Sequence, residues 1–405
     1  MAGGTTHALE GIRILDLGHF LAAPRCGQIL GELGATVVKI EPPQGETMRI
    51  LMSLAKAERI LAVVNTNKRG ISLNLKSDAG QALFLKLVAA ADVVLENFGS
   101  GTMDRLGLGY GHLAEVNPGL VYASISGFGN TGPQKNRGAF DIIAQATSGI
   151  MDALGLPDRP PGIFFADLVS GAYAAMAIVA ALFVREKTGK GQQIDISMQD
   201  VMYAHHFRAH AVQALGDAAE ETTGMLGRSV DNLLTDHEHP LPFWNTYRTK
   251  DGHVAIVALT DRHWERLMKA IGHENLLDDA RFANFITRIH NAPAGVEILS
   301  RWAADRTVDE VVRVLNECDV PCGKVCSTQD VKVDPQLAER GMVNEVQHSL
   351  SGPIRVPGSA LKMSVTPGEI SRPHPGLGEH TEEVLREFLD MDDEEIAEWK
   401  SRGAI

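Results

Sequence analysis

The sequence has few cysteines, four in all, and three of them crowd into CDVPCGKVC as Cys318, Cys322 and Cys326. This C-x3-C-x3-C spacing matches no common zinc or iron–sulfur pattern, so reduced, partly buried thiols without a metal are expected. Positive charge is also in deficit: 38 Lys and Arg against 51 Asp and Glu leave a formal charge of −13. Most of such a surface would repel a phosphate-rich polymer or an anionic membrane, so a small anionic ligand must find local Lys and Arg. The longest apolar run, Ala174 to Val184, is too short to span a bilayer, and the opening MAGGTTHALEG lacks a basic segment followed by an apolar one. The cytoplasm is the expected location. Also missing are a G-x-S-x-G elbow, a Walker lysine and the H-E-x-x-H pair of hydrolytic zinc sites. His205, His206 and His210 crowd together without that spacing, and DHEH at 236–239 reads as a solvated loop, with weak metal binding as the alternative.

What is present is a chain of 405 residues, 44% hydrophobic, long enough for one large domain and a smaller one. Strand and helix alternate from the start. IRILDL, TVVKIE, GISLNL, DVVLEN and GLVYASISG read as buried strands. Between them PRCGQILGEL reads as a helix with Pro24 early and Gly34 past its end, and SDAGQALFLKLVAAA as a helix capped by Ser77. Apolar strands separated by amphipathic helices predict an α/β fold with a parallel sheet covered on both faces. We expect a large domain over 1–200, a polar, Gly-broken linker over 201–224, and a small α+β domain over 225–325. The small domain should contain a hairpin about Asp251-Gly252, and residues 326–405 should return to complete the large domain, ending in two amphipathic helices.

GFGNTG at 127–132 satisfies G-x-G-x-x-G after a strand, but Pro133 and QKNRG continue the loop where a dinucleotide site needs a helix to begin, so this reading is set aside. A lone acid, Asp167, stands at the head of the apolar segment in FFADLVSGAYAAMAIVAALFVREKTGKG. One reading makes it a helix cap.

The wider pattern supplies another. LEGIRILDLGHFLAAPRCGQILGELGATVVKIEPP, NKRGISLNLKSDAG, ADVVLENFGSGTMDRLGLGY, NPGLVYASISGFGNTGP, FADLVSGAYAA and REKTGKGQQIDISMQDV resemble, in order and spacing, the class III CoA-transferases, the family of formyl-CoA transferase and carnitine CoA-transferase. TKDGHVAI, DVPCGKV and DPQLAERGM extend the resemblance over nearly the whole chain. It implies a Rossmann-like large domain, two chains interlocked as rings or a partner of similar sequence, and no permanently bound cofactor, with the CoA thioester as substrate.

The resemblance makes Asp167 the covalent nucleophile. A carboxylate of ordinary pKa, ~3.9, would be ionised at neutral pH without a helper base, and would pass through an acyl anhydride and then an aspartyl-CoA thioester. Backbone amides near Gly171 or in SGFGNTG are candidate oxyanion donors. The CoA-contacting positions implied are His19, Phe20, Leu21, Ala22, Leu73, Asn74, Leu75, Lys76, Asn97, Phe98, Gly99, Arg105 and Arg137, with Phe140, Asp141 and Met198 in the pocket.

The chain also departs from the family pattern. Pro42 and Pro43 stand where relatives carry a basic residue, leaving Arg49 or Arg69 to meet the nucleotide end. Leu21 replaces a glutamine of the oxalate enzymes and their tetraglycine loop is absent, so RSVDNLL is the candidate gate. Leu21, Phe20 and Trp244 predict an acceptor less polar than oxalate, such as a substituted succinate, with succinyl-CoA as a candidate donor. The alternatives are an acyl-CoA racemase or epimerase, in which Phe140 stands where a proton-shuttling histidine belongs, and a non-catalytic CoA-binding subunit.

Overall fold

The computed structural model describes residues 7–226, 229, 240–349 and 351–405. DHEH and, apart from Ser229, RSVDNLL lie outside these residues. Two compact units divide the chain. One takes in the residues up to Asp152, Leu156–His205 and Pro335–Ile405; the other takes in Ala153–Gly155 and His206–Asp334.

The first unit is built on six parallel strands, β1 (Arg13–Asp16), β2 (Thr36–Glu41), β3 (Lys68–Ser72), β4 (Val93–Glu96), β5 (Val121–Ser126) and β6 (Gln192–Ser197), in the order 3-2-1-4-5-6. The period-two alternation of each strand feeds two cores. Ile14, Val37, Val93, Leu95, Val121 and Ala123 face one core, shared with helices Ala22–Glu32 and Phe165–Thr188. Leu15, Val38, Val94 and Tyr122 face the other, shared with helix Asp78–Ala89 and the C-terminal helices Thr381–Leu389 and Asp393–Ser401. Covering both faces is why β4 and β5 are buried at every residue and read as continuous apolar runs. Ser77 caps its helix by accepting from the Gly80 amide.

β6 gave no such signal. It pairs on one side only, and Gln192, Gln193 and Asp195 of QQIDIS are exposed. A two-stranded antiparallel ribbon, β10 (Val343–His348) with β11 (Gly352–Pro357), was likewise not foreseen.

The helix Phe165–Thr188 is, by length and composition, apolar enough to cross a membrane. The sequence reading counted only the run after Tyr173, because Ser170 and Gly171 interrupt it. Those small residues are where the helix packs. Ala166, Ser170, Gly171, Ala174, Ala175 and Ile178 are buried. A Cβ on Gly171 would lie 2.5 Å from the Ala22 carbonyl oxygen, so only glycine lets the backbones of helices 165–188 and 22–32 approach this closely.

The expected linker is helical instead: Met198–Ala204, Phe207–Leu215 and Ala218–Leu226 span most of it. Ala-rich stretches such as HAVQAL outweigh the isolated glycines, and Gly216, at φ +50°, separates two of the helices.

The second unit contains a three-stranded antiparallel sheet of β7 (Trp244–Arg248), β8 (His253–Val257) and β9 (Cys322–Lys324). The Asp251-Gly252 turn joins β7 to β8, and the Thr249 hydroxyl accepts from the Gly252 amide. Phe243, Trp264, Phe282, Leu299 and Val311 are among its core residues. Its cysteines are free thiols, with Cys318 and Cys322 partly buried and Cys326 exposed.

Candidate active site

In the strand order 3-2-1-4-5-6 the order of addition reverses between the parallel strands β1 and β4, and a crevice opens where the loops at their carboxyl ends part. Those loops are GHFL after β1 and NFGS after β4. They are tied across the opening by a reciprocal pair: the His19 amide donates to Asn97 Oδ1 at 2.8 Å, and Asn97 Nδ2 donates to the His19 carbonyl at 2.9 Å. The His19 ring meets the Phe98 ring edge-on, with 5.1 Å between centroids.

A cavity of about 490 Å³ lies in this crevice, with His19, Phe20, Ala22, Asn97, Phe98, Gly99, Phe140, Met198 and Asp167 on its wall. A second of about 270 Å³ is lined by Leu73, Asn74, Leu75, Lys76, Pro42 and Leu106, and shares His19 and Phe98 with the first. Among the described residues, Asp167 is the one carboxylate on the wall of the larger cavity.

That carboxylate is not a cap. Asp167 occupies the first turn of helix 165–188, two residues beyond its first residue, and Phe164 stands at the cap position with no side-chain bond. No described group donates a hydrogen bond to the Asp167 carboxylate, while its backbone amide donates to Asp141 Oδ1 at 3.1 Å. Asp141 is buried and fixed from behind by Gln145, whose Nε2 donates to Asp141 Oδ2 at 2.5 Å and to the Ile163 carbonyl at 2.9 Å. Burial first, and the neighbouring Asp141 carboxylate second, push Asp167 up to about 7. The expectation of an ordinary, fully ionised carboxylate is therefore corrected, because the partial loss of water disfavours the charge that the helix N-terminus favours.

The sequence matches CoA-transferase family III over residues 9–381. The chain belongs to this family. It is 35% identical to the formyl-CoA:oxalate CoA-transferase of Streptomyces avermitilis, covering 99% of this chain and all of that one. It is 33% identical to the succinyl-CoA–D-citramalate CoA-transferase of Chloroflexus aurantiacus, over 98% of each chain. The human succinyl-CoA:glutarate CoA-transferase is 32% identical over 98% of this chain and 90% of its own. Among solved structures, a CaiB/BaiF family protein from Brucella suis superposes with a TM-score of 0.78 at 32% identity, covering 95% of this chain and 100% of that one.

Within this family III CoA-transferase, several positions expected at the site lie off the cavity walls. Leu21 is at the cap position of helix 22–32 and lines neither cavity, so Phe20 rather than Leu21 forms the wall there. Asp141 stands behind Asp167. Arg105 is exposed beside the crevice, bonded to Thr102 Oγ1 and the Ser100 carbonyl. Arg137 is on the wall, its guanidinium 5.2 Å from the centre of the Phe128 ring.

Neither substitute cation for the nucleotide end is free. Arg49 binds both oxygens of Glu41, and Arg69 is held by Glu383 and Glu387. Lys76 carries no ion pair among the described residues and is exposed. Gly171 lies inside its helix, so of the two oxyanion candidates only the loop after β5 reaches the cavity, through Gly127 and Phe128. There the Gly129 and Asn130 amides are already engaged by Ser126 and Asp195. Phe128, Lys135, Ile143 and the Gln145 support escaped the sequence reading. Their common signal is position, in or just after the loop that leaves the carboxyl end of β5.

Proposed function

We propose that the chain moves CoA from an acyl-CoA thioester to a free carboxylic acid through covalent intermediates on Asp167. The observation that supports this is a carboxylate on the crevice wall that no described group hydrogen-bonds, at a helix start where a developing negative charge is favoured. An Asp167 oxygen attacks the acyl carbon and the C–S bond breaks, leaving an acyl-aspartyl anhydride and CoA thiolate. The thiolate attacks the Asp167 carbonyl carbon and expels the acyl group as its free acid. The aspartyl-CoA thioester then meets the acceptor carboxylate, which runs the same steps in reverse. Donor, enzyme and acceptor contribute the same functional group, so the exchange is nearly balanced in energy. Asp167 ionised near neutral pH and partly stripped of water is the attacking form.

CoA is assigned to the two joined cavities: Leu73–Lys76 and Phe98 along one, Asn97, Gly99, Arg137 and Met198 along the other, with Lys76 and Arg105 available to phosphates. Succinyl-CoA is the first donor to try, because two of the relatives above are named for it. One observation favours the epimerase alternative: His19 shares the cavity with Asp167, and burial lowers its proton affinity. Phe140, also on that wall, carries no proton.

The test is CoA exchange between succinyl-CoA and a panel of free acids, run beside solvent-deuterium incorporation into a branched acyl-CoA. Exchange without α-deuteration is expected. Deuteration without exchange would overturn the transferase reading.

A further inference from the structure

Two positions on the cavity wall that also holds Asp167 break local rules. Phe20 has φ +56°, a left-handed conformation that glycine and asparagine tolerate and a bulky aromatic does not. Phe140 occupies the cap position of helix Asp141–Thr147, where a small polar side chain would satisfy free amides, and it makes no capping bond. The two rings meet edge-on at 5.6 Å and 87°, and Phe140 stays 65% exposed on the open side.

The strained turn is held by buried charge. Lys39 Nζ, 1% exposed, donates to the Gly18 carbonyl at 2.8 Å, and Asn97 holds both backbone groups of His19. The Phe20 amide reaches the carboxylate of Glu46, also 1% exposed, at 3.5 Å. Burying two charges to hold an aromatic in an unfavourable conformation makes sense where the ring itself is used. Ile125, Phe128, Ile143 and Met198 add apolar surface to a wall that also carries Asn97, Ser100, Ser126, Lys135 and Arg137, with the Arg137 guanidinium 5.2 Å from the centre of the Phe128 ring.

Building on the proposed transferase reading, we propose that the Phe20–Phe140 pair sets acceptor specificity, admitting carboxylic acids with an apolar group beside the reacting carboxylate and disfavouring compact dianions. Against the ring pair itself, a compact dianion's second charge would find no hydrogen-bond donor, whereas an alkyl or aryl substituent gains contact with the rings.

The test compares kcat/KM for phenylacetate and 2,2-dimethylbutanoate with that for oxalate in the full-length protein, alone and with Phe20→Asn or Phe140→Ser. Asparagine tolerates the left-handed turn and serine supplies a cap, so both variants should fold, and thermal denaturation checks this. The wild type is expected to prefer the apolar acids by at least about tenfold, and each variant to lose most of that preference, by about tenfold. An unchanged ratio in folded variants, or a wild-type preference for oxalate, would overturn the proposal. Exchange with no acid would overturn it as well. In that case, capture of labelled acyl-CoA on the Asp167 peptide shows that only the acceptor inference has failed, and no capture shows that the transferase reading has failed with it.

Discussion

The Asp167 amide donates to Asp141 Oδ1 at 3.1 Å, which places the proposed nucleophile beside a second, buried carboxylate; burial first and this neighbour second raise its pKa to about 7. Capture of a thioester by Asp167 should therefore rise about tenfold per pH unit up to about pH 7 and level off above it. Asp141→Asn removes the repelling charge, so the inflection of single-turnover capture should move down toward the ordinary carboxylate range. An unmoved inflection would assign the shift to burial alone.

The raised pKa also has a stability consequence. A carboxyl group that titrates higher in the folded than in the unfolded chain binds more protons when folded, so its contribution is lost as pH rises from about 4 to about 7. Asp167→Asn removes that loss. The variant should be inactive, yet more stable than the wild type at pH 8 by roughly 1–3 kcal/mol, the side chain being partly hydrated. Chemical denaturation at pH 4 and pH 8 measures it: the gain should vanish at pH 4.

Gly171→Ala should destabilise. In an exposed helix interior this change gains roughly 0.8–1 kcal/mol, but here the new Cβ would sit 2.5 Å from the Ala22 carbonyl oxygen and 3.0 Å from Arg25 Cβ. We expect a net loss of about 1–3 kcal/mol, with helices 165–188 and 22–32 pushed apart. A rise in Tm would show that the close approach is not real.

His374 is 3% exposed, stacked on His348 at 4.4 Å, and its Nδ1 has no hydrogen-bond partner. Burial, then His348 and Arg49, lower it to about 4, against the opposing pull of Glu58 and Glu379. A base held neutral in the fold loses stability as pH falls from about 6.5 to about 4, on the order of 3 kcal/mol in all. His374→Phe should flatten that part of the stability–pH curve, as urea midpoints across this range would show.

Much of the large unit was legible because its strands are buried on both faces: Val93–Glu96 and Val121–Ser126 read as apolar runs, and Ser77 announced its helix. The edge strand Gln192–Ser197 was not, since Gln192, Gln193 and Asp195 are polar and exposed and break the apolar run. The spacing of sequence blocks around Asp167 pointed to ten of the residues that the cavity gathers, Asp167 included. The electrostatics of the site were not legible, because the Asp141–Asp167 contact spans 26 residues and no local pattern encodes it. Nor could the sequence show that Leu21 turns away while Phe20, one residue earlier, forms the wall. Phe20 stands there in a left-handed conformation, φ +56°.

The most direct test of the account follows the mass of a single peptide. Incubated with isotopically labelled acyl-CoA, quenched and digested, the protein should yield a peptide containing Asp167 that carries a hydroxylamine-sensitive adduct, and Asp167→Ala should yield no adduct and no turnover. An unmodified Asp167 peptide in a protein that still exchanges CoA, or a fully active Asp167→Ala variant, would contradict the central claim.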